Sequence, residues 1–240
     1  MEAHGTFGGS KSMRENYRHG PQAYYSAHGG AYRNPHFPQI VKCVAAALDA
    51  LAPSLQRPLG AVLDLACGSG EATLALLKYF GVKDGGDARG RAGGREGASE
   101  GAGEGREEGG SEAGEAGTRE EGGEGPRLPA ITAADPFTGA AFLERTGRVA
   151  EPWGFEQVQE GILTDLGLDF DLTIISFAAH LIPEQRLFST LFALSLASRH
   201  LLILSPHKRP PVLPKMGWEE QAHLVIERVH ARLFVSLSLQ

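Results

Sequence analysis

Short apolar runs alternate with segments of helical periodicity along this chain. Apolar residues recur at helical spacing over 36–52, with Ile40 and Val44 near one face of the predicted helix. The next apolar run, 61–66, is short and continuous, as expected for a strand buried on both faces, and 70–80 returns to a helical pattern. The first ordered part of the chain is therefore predicted to be helix, strand, helix.

The rest of the chain continues this alternation. Strands are predicted at 130–135, 155–161, 170–178 and 200–206, and helices at 138–147 and 183–198. Near the end, apolar and polar residues alternate, with one apolar side made by Val225, Val229, Ala231 and Leu233, which indicates a late, half-covered and antiparallel strand. Because apolar strands joined by helices form βαβ units, we predict an α/β fold. Its doubly wound, Rossmann-like and mostly parallel sheet would lie between two helical layers.

One segment breaks the pattern. Residues 81–127 hold 17 of the 32 glycines, no aromatic residue and a net charge of −5, so they cannot bury enough apolar surface to offset their ordering entropy. We interpret the segment as a disordered insertion within one domain, either a tolerated loop expansion or an interaction tract. The domain itself is assigned to 36–240, and 1–35 to an N-terminal segment that serves as a possible lid.

Composition excludes several classes of protein. No apolar run approaches the ~18 residues of a membrane span, and the N-terminal residues lack the apolar centre of a signal peptide. Cys43 and Cys67 form neither a disulfide framework nor a metal-ligand spacing. Outside the insertion the chain is nearly neutral, which argues against a broad nucleic-acid surface. We expect a cytoplasmic protein in a reducing compartment.

The junction of the first strand and second helix, DLACGSG at 64–70, carries the clearest chemistry. Glycines let a ligand approach the backbone closely, and the following helix offers free N–H groups and the positive end of its dipole. A nicotinamide fingerprint needs G-x-G-x-x-G, and the third glycine is missing here. Asp64 would repel a pyrophosphate but suits a cationic ligand.

This stretch resembles the first motif of class I S-adenosylmethionine-dependent methyltransferases, a D/E-x-G-x-G-x-G pattern after the first strand. The resemblance implies that Asp64 holds the amino group of the cofactor, directly or through water, and that Gly68 and Gly70 lie against its methionine part. Ala66 stands where the pattern has its first glycine. A structural turn with an incidental aspartate is the alternative interpretation.

Further positions extend the resemblance over roughly 36–206, without the insertion. Asp135 ends the next strand, where the family binds both ribose hydroxyls, although an aspartate before Pro136 is also a natural helix cap. The adenine position falls on Ile162, whose backbone or nearby Glu160 would read the base. Ser176 ends the fourth strand and is assigned to the cofactor site.

Two regions bear on the acceptor. His180 follows the fourth strand and is a candidate general base because its free pKa lies near neutrality, the alternative being a histidine packed at a helix start. The segment 23–39 supplies candidate lid and substrate residues, Tyr25, Tyr32 and Asn34, or an ordered loop that leads into the first helix. The basic, proline-rich stretch after 205 either attracts an anionic substrate or is a stiff loop.

The resemblance implies a methyltransferase that uses S-adenosyl-L-methionine, with no metal and no covalent nucleophile. We expect a small-molecule acceptor and no membrane partner, with nucleic acid or protein acceptors not excluded. A non-catalytic binding module with the methyltransferase fold is the first alternative, because Ala66 and Ile162 depart from the pattern. A nicotinamide-dependent oxidoreductase is the second.

Overall fold

The computed structural model of the protein describes residues 33–82 and 127–239. Its helices are α1 (Phe37–Leu51), α2 (Glu71–Tyr79), α3 (Gly139–Thr146), α4 (Phe155–Glu160), α5 (Ile162–Asp165) and α6 (Glu184–Ala197). Its strands are β1 (Ala61–Leu65), β2 (Ala130–Ala134), β3 (Phe170–Ser176), β4 (Ser198–Ser205), β5 (Trp218–Ile226) and β6 (Val229–Ser236). Short 3₁₀ turns occupy Ala52–Ser54, Ala179–Leu181 and Pro214–Met216.

The six strands form one sheet in the order β2-β1-β3-β4-β6-β5. The first four are parallel, and β6 runs antiparallel to both β4 and β5. Helices α1 and α2 pack on one face through Ile40 and Leu76, whereas α4 and α6 pack on the other through Val158 and Leu191. The predicted doubly wound, three-layer fold with a late antiparallel strand is confirmed.

The prediction of a strand at 155–161 is wrong, because 155–160 forms α4. Gly154 precedes this helix, and its N–H donates to Oε1 of Gln157 at 2.9 Å, which closes the first turn. Val158 packs into the core and Phe155 lies against it, a spacing of three residues that fits a helix better than a strand. The chain just before this helix is joined to β2 by an isolated bridge between Ala134 and Glu151.

The prediction of a single late strand is also incomplete, because the structure has a hairpin of β5 and β6. Its two-residue turn has Glu227 at φ +47° and Arg228 at φ +69°, as a type I′ turn requires. Such turns usually contain Asn-Gly, so Glu-Arg gave no turn signal in the sequence. Glu227 is held from outside the hairpin by Lys42 and Gln39 of α1.

The lid residues Tyr25 and Tyr32 and nearly all of the insertion lie outside the described residues. Both attachment points of the insertion are visible, however. Ala130 at the start of β2 pairs with Ala61 at the start of β1, and α2 runs back from the carboxyl edge of the sheet to end at Tyr79. Both attachment points therefore lie near the amino edge of the sheet. Within the described ranges, no helix has the length and apolar character needed to cross a bilayer.

Replacing residues 84–126 with a short Gly/Ser linker is expected to leave the melting temperature and ligand affinity nearly unchanged. The attachment points are far from the carboxyl edge, and loop-closure free energy changes by only about 0.6 kcal/mol per doubling of loop length. Thermal melting of the full chain and the shortened variant tests this. A large drop in melting temperature would show that the insertion packs onto the domain.

Candidate functional site

The turn between β1 and α2 has an unusual backbone. Ala66, Gly68 and Gly70 have φ values of +57°, +57° and +88°. The turn is tied to the end of β2 by the N–H of Cys67, which donates to the carbonyl of Ala134 at 3.1 Å. A left-handed conformation costs an alanine about 1–2 kcal/mol, so Ala66 holds strain at a place that glycine would occupy freely.

Gly70 is required by packing. A Cβ at this position would lie 2.4 Å from Cγ2 of Thr146 and 3.1 Å from the ring of Phe142, both in α3. Neither neighbour can move easily, because Phe142 is fully buried and the hydroxyl of Thr146 donates to its carbonyl. Gly70 therefore lets α3 pack on the turn, whereas Gly68 faces the cavity described next.

A cavity of about 410 Å³ opens at the carboxyl edge of the sheet. Its walls come from the ends of β1, β2 and β3, from α4 and from the start of α6; the residues used below are Asn34, Ala66, Gly68, Glu71, Asp135, Phe137, Phe155, Ser176, Phe177 and Thr190. The chain passes from β1 to β2 on one side of β1 and then to β3 on its other side. This is the switch in strand order at which open α/β sheets bind ligands.

Asp135 lies on the cavity wall and organises the backbone around it. Oδ1 accepts the N–H groups of Phe137 and Thr138 at 2.8 and 3.0 Å, and Oδ2 accepts the N–H of Gly68 at 3.2 Å. The capping role that the sequence left open is therefore real, since two of these N–H groups immediately precede α3. One such hydrogen bond leaves Oδ2 with capacity for another donor.

Asp64 lies beneath the cavity wall and is fully buried. Oδ2 accepts the N–H and the hydroxyl of Thr73 at 3.0 and 2.7 Å, whereas Oδ1 has no partner among the described residues. Burial raises the pKa of Asp64 to about 7, and the hydrogen bonds from Thr73 oppose this rise. The charges of Glu71 and Asp135 raise the pKa further, so three carboxyl groups share this side of the site.

A polar network that the sequence analysis missed joins the first described residues to this acidic side. Oε1 of the buried Glu71 accepts the N–H of Asn34 and the hydroxyl of Ser69 at 2.9 and 2.6 Å. Arg145 of α3 forms a salt bridge with Glu71 and stacks over the ring of Phe37. Glu71 directly follows the glycine turn, and this position was the signal available in the sequence.

The far side of the cavity contains polar atoms without partners. The hydroxyls of Ser176 on β3 and Thr190 on α6 are buried and have no hydrogen-bond partner among the described residues, and Thr190 is only 1% exposed. Phe177 has φ +55°, and its ring stacks on His36 at 5.0 Å. Buried hydroxyls without a partner are costly, so a ligand that bonded to them would be favoured.

Sequence similarity relates this chain to a protein of fission yeast. No protein-family model matches the chain. It is 34% identical over 251 residues to the uncharacterized protein C17A5.05c of Schizosaccharomyces pombe, covering 95% of this chain and 93% of that protein. The chain belongs to the same family as this fission-yeast protein.

Among the solved structures that are similar to this chain are two methyltransferases. One is an O-methyltransferase family protein from Burkholderia thailandensis, with TM-score 0.53, 13% identity, and coverage of 95% of this chain and 64% of that one. The other is the mitomycin 7-O-methyltransferase MmcR, with TM-score 0.50, 14% identity, and coverage of 94% and 61%. The chain thus spans less than two thirds of each of these structures. The fold is that of the class I S-adenosylmethionine-dependent methyltransferases.

This methyltransferase fold brings only some of the predicted site residues together. Ala66, Gly68, Asp135, Ser176 and Asn34 line one cavity. Their predicted roles toward a cofactor and an acceptor stay predictions.

Other predicted site residues lie off the cavity wall. Ile162 packs against the core at the start of α5, and α4 presents Phe155 to the cavity instead. His180 is exposed on the 3₁₀ turn after β3, and partial burial and the neighbouring His207 lower its pKa. It follows the cavity-lining Ala178 by two residues without reaching the wall itself.

Proposed function

We propose that the protein is an S-adenosyl-L-methionine-dependent methyltransferase that acts on a small-molecule acceptor. The observation that carries the proposal is a single cavity at the strand switch, with two carboxylates, Glu71 and Asp135, on its wall and Asp64 behind it. The cofactor carries an ammonium and a sulfonium group, and clustered carboxylates stabilise such cations.

The residues present fit this cofactor. A volume of about 410 Å³ is within the ordinary range for ligand pockets of roughly 300–1,000 Å³. The rings of Phe137 and Phe155 offer apolar surface for the adenine, and the remaining capacity of Asp135 Oδ2 suits a ribose hydroxyl. The unpartnered hydroxyl of Ser176 on the cavity wall would gain a partner on binding.

When bound, the cofactor supplies an electrophilic methyl group. The chain's own contribution is to hold the reactants in line and to exclude water. The salt bridge between Arg145 and Glu71 and the hydrogen bond from Asn34 keep the first described residues against the cavity edge. The acidic side would then be fixed before the cofactor arrives, so little reorganisation is needed on binding.

Labelled methyl transfer to a fractionated cell extract tests the proposal. We expect the purified protein to bind S-adenosyl-L-methionine and to move the label into the small-molecule fraction. Binding without transfer to any fraction would favour a non-catalytic module with this fold. Label in RNA or protein would refute the choice of acceptor, and binding of a reduced dinucleotide instead would refute the choice of cofactor.

A further inference from the structure

Three consecutive basic side chains follow β4 at the carboxyl edge of the sheet. His207, Lys208 and Arg209 are exposed, and none has an ion-pair partner within residues 33–82 and 127–239. Exposed cations are usually scattered or paired with carboxylates, so Lys208 and Arg209 without acidic partners create a local positive potential.

The loop that carries these cations is held at both ends. At its start, the N–H of His207 donates to the hydroxyl of Ser205 at 3.2 Å. At its end, Nη1 of Arg232 donates to the carbonyl of Pro210 at 2.8 Å. Arg232 is only 4% exposed and is itself held by Glu220, so the anchor is rigid. A ligand therefore meets charges whose backbone is already ordered, which lowers the entropic cost of binding.

The neighbouring hairpin adds another cation. Ser205 pairs with His230 in antiparallel register, so the chain beyond Ser205 runs beside the β5–β6 turn, where Arg228 is exposed and has no ion-pair partner among the described residues. Nδ1 of His230 lies 2.8 Å from Nε2 of His223. Partial burial lowers the pKa of His230, and the charges of His223 and Lys208 lower it further.

The acidic residues near this edge already have partners. Glu227 binds Lys42 and Gln39, and Glu220 binds the buried Arg232. Among the described residues, the net charge left at this edge is therefore positive.

This basic edge, defined here as His207, Lys208, Arg209 and Arg228, lies at the same carboxyl edge of the sheet as the cavity but outside the cavity wall. The N–H of Phe177 on the cavity wall donates to the carbonyl of Leu204 near the end of β4 at 2.8 Å. The cavity thus has carboxylates on the β1–β2 side and free cations beyond its β3–β4 side. A cationic cofactor and an anionic acceptor would be drawn to opposite sides.

We propose that the methyl acceptor is a small molecule bearing a phosphate group, which the basic edge holds while the acceptor atom faces the cavity. The inference rests on the proposed methyl transfer. A phosphate carries up to two charges and several acceptor oxygens, so it can engage Lys208, Arg209 and Arg228 together, which a single carboxylate does less well. A cationic acceptor would be repelled from this edge.

Binding of inorganic pyrophosphate to the full chain tests the proposal, measured by calorimetry at low ionic strength to limit screening. The test variant is Lys208→Glu/Arg209→Glu. The matched control is Lys215→Glu, because Lys215 is also exposed but precedes Trp218, which pairs with Ser236 at the amino edge. We expect the wild type and the control to bind alike and the double variant to bind at least about tenfold more weakly, a difference of about 1.4 kcal/mol.

The affinity for S-adenosyl-L-methionine is measured on the same samples, and we expect it to be unchanged in both variants. Equal pyrophosphate affinity in all three proteins, or no binding to any, would overturn the proposal. A ten-nucleotide RNA that binds more than about tenfold tighter than pyrophosphate would overturn the small acceptor in favour of a polynucleotide. If the wild type binds pyrophosphate but not S-adenosyl-L-methionine, the methyltransferase function is refuted and the anion site is not.

Discussion

Replacing Gly70 with alanine is expected to lower the free energy of unfolding by about 2–5 kcal/mol. Two effects add at this position. Its φ of +88° strains any residue with a Cβ, and that Cβ would lie 2.4 Å from Cγ2 of Thr146. Rotating Thr146 away would break its hydrogen bonds with the carbonyl of Phe142 and the N–H of Arg148, so α3 itself must shift.

Gly81→Ala separates the two effects. Gly81 also has a left-handed backbone, with φ +74°, but a Cβ there would meet nothing within 4 Å. This control should lose only the backbone part, about 1–2 kcal/mol. Urea unfolding of the wild type and both variants, with unchanged m values, gives the steric part by difference. Equal losses in both variants would mean that α3 yields to the added methyl group and that its packing does not require glycine.

Replacing Asp64 with asparagine is expected to weaken S-adenosyl-L-methionine binding by roughly tenfold to a hundredfold without unfolding the protein. Asparagine keeps the shape and an oxygen for the two donors of Thr73, but it removes the negative charge behind the acidic wall. Losing the interaction of the Asp64 carboxylate with the ammonium group of the cofactor, directly or through water, costs about 1.5–3 kcal/mol, the usual value for a hydrogen bond to a charged group. Asp169→Asn is the matched control, because Asp169 is exposed at the amino edge, one residue before β3.

The same substitution should flatten part of the dependence of stability on pH. The pKa of Asp64 rises from 3.8 to about 7 in the folded chain, so the folded state keeps the proton to higher pH than the unfolded state does. The contribution of Asp64 to stability is then fully present below pH 3.8 and is lost as the pH rises to about 7. Asp64→Asn should lack this decline, and at pH 8 it should be at least as stable as the wild type.

A cationic cofactor favours the ionised form of Asp64, so binding at pH 6 should release protons. Calorimetry in two buffers of different ionisation enthalpy measures this release, which should fall in Asp64→Asn and persist in Asp169→Asn. Unchanged affinity and unchanged proton release in Asp64→Asn would contradict a role in binding and leave Asp64 as a structural partner of Thr73.

The predictions of helices and strands were correct where the spacing of apolar residues fitted only one kind of element. The run at 61–66 and the helical spacing at 36–52 correspond to β1 and α1 within one residue at each end. The prediction of a strand at 155–161 failed because a short stretch with few apolar residues fits either period. The helix is favoured by Gln157, which closes the first turn at Gly154. The turn at Glu227 was not predicted, because the residues that hold it, Lys42 and Gln39, are distant in sequence.

In the candidate site, too, positions that follow from strand order could be predicted, whereas positions that depend on packing could not. Gly68, Asp135 and Ser176 line one cavity, as expected for residues near the carboxyl ends of parallel strands, whereas their roles toward a cofactor stay predictions. Arg145 was missed because its role depends on how α3 packs against the turn. The exposure of His180 depends on a 3₁₀ turn after β3 that no local signal announces.

By itself, the sequence determined the α/β alternation, the strand-to-helix turn at 64–70 and the carboxylates that follow two neighbouring strands, because these depend on local periodicity and chain order. Only the tertiary structure decided that Gly70 serves packing, that Asp64 lies behind the cavity wall, and that Glu71 joins Asn34 to Arg145. These features arise from contacts between residues far apart in the sequence, such as Arg145 and Glu71, which are 74 positions apart. Burial and partner geometry over such separations follow from how the layers pack, which no local pattern encodes.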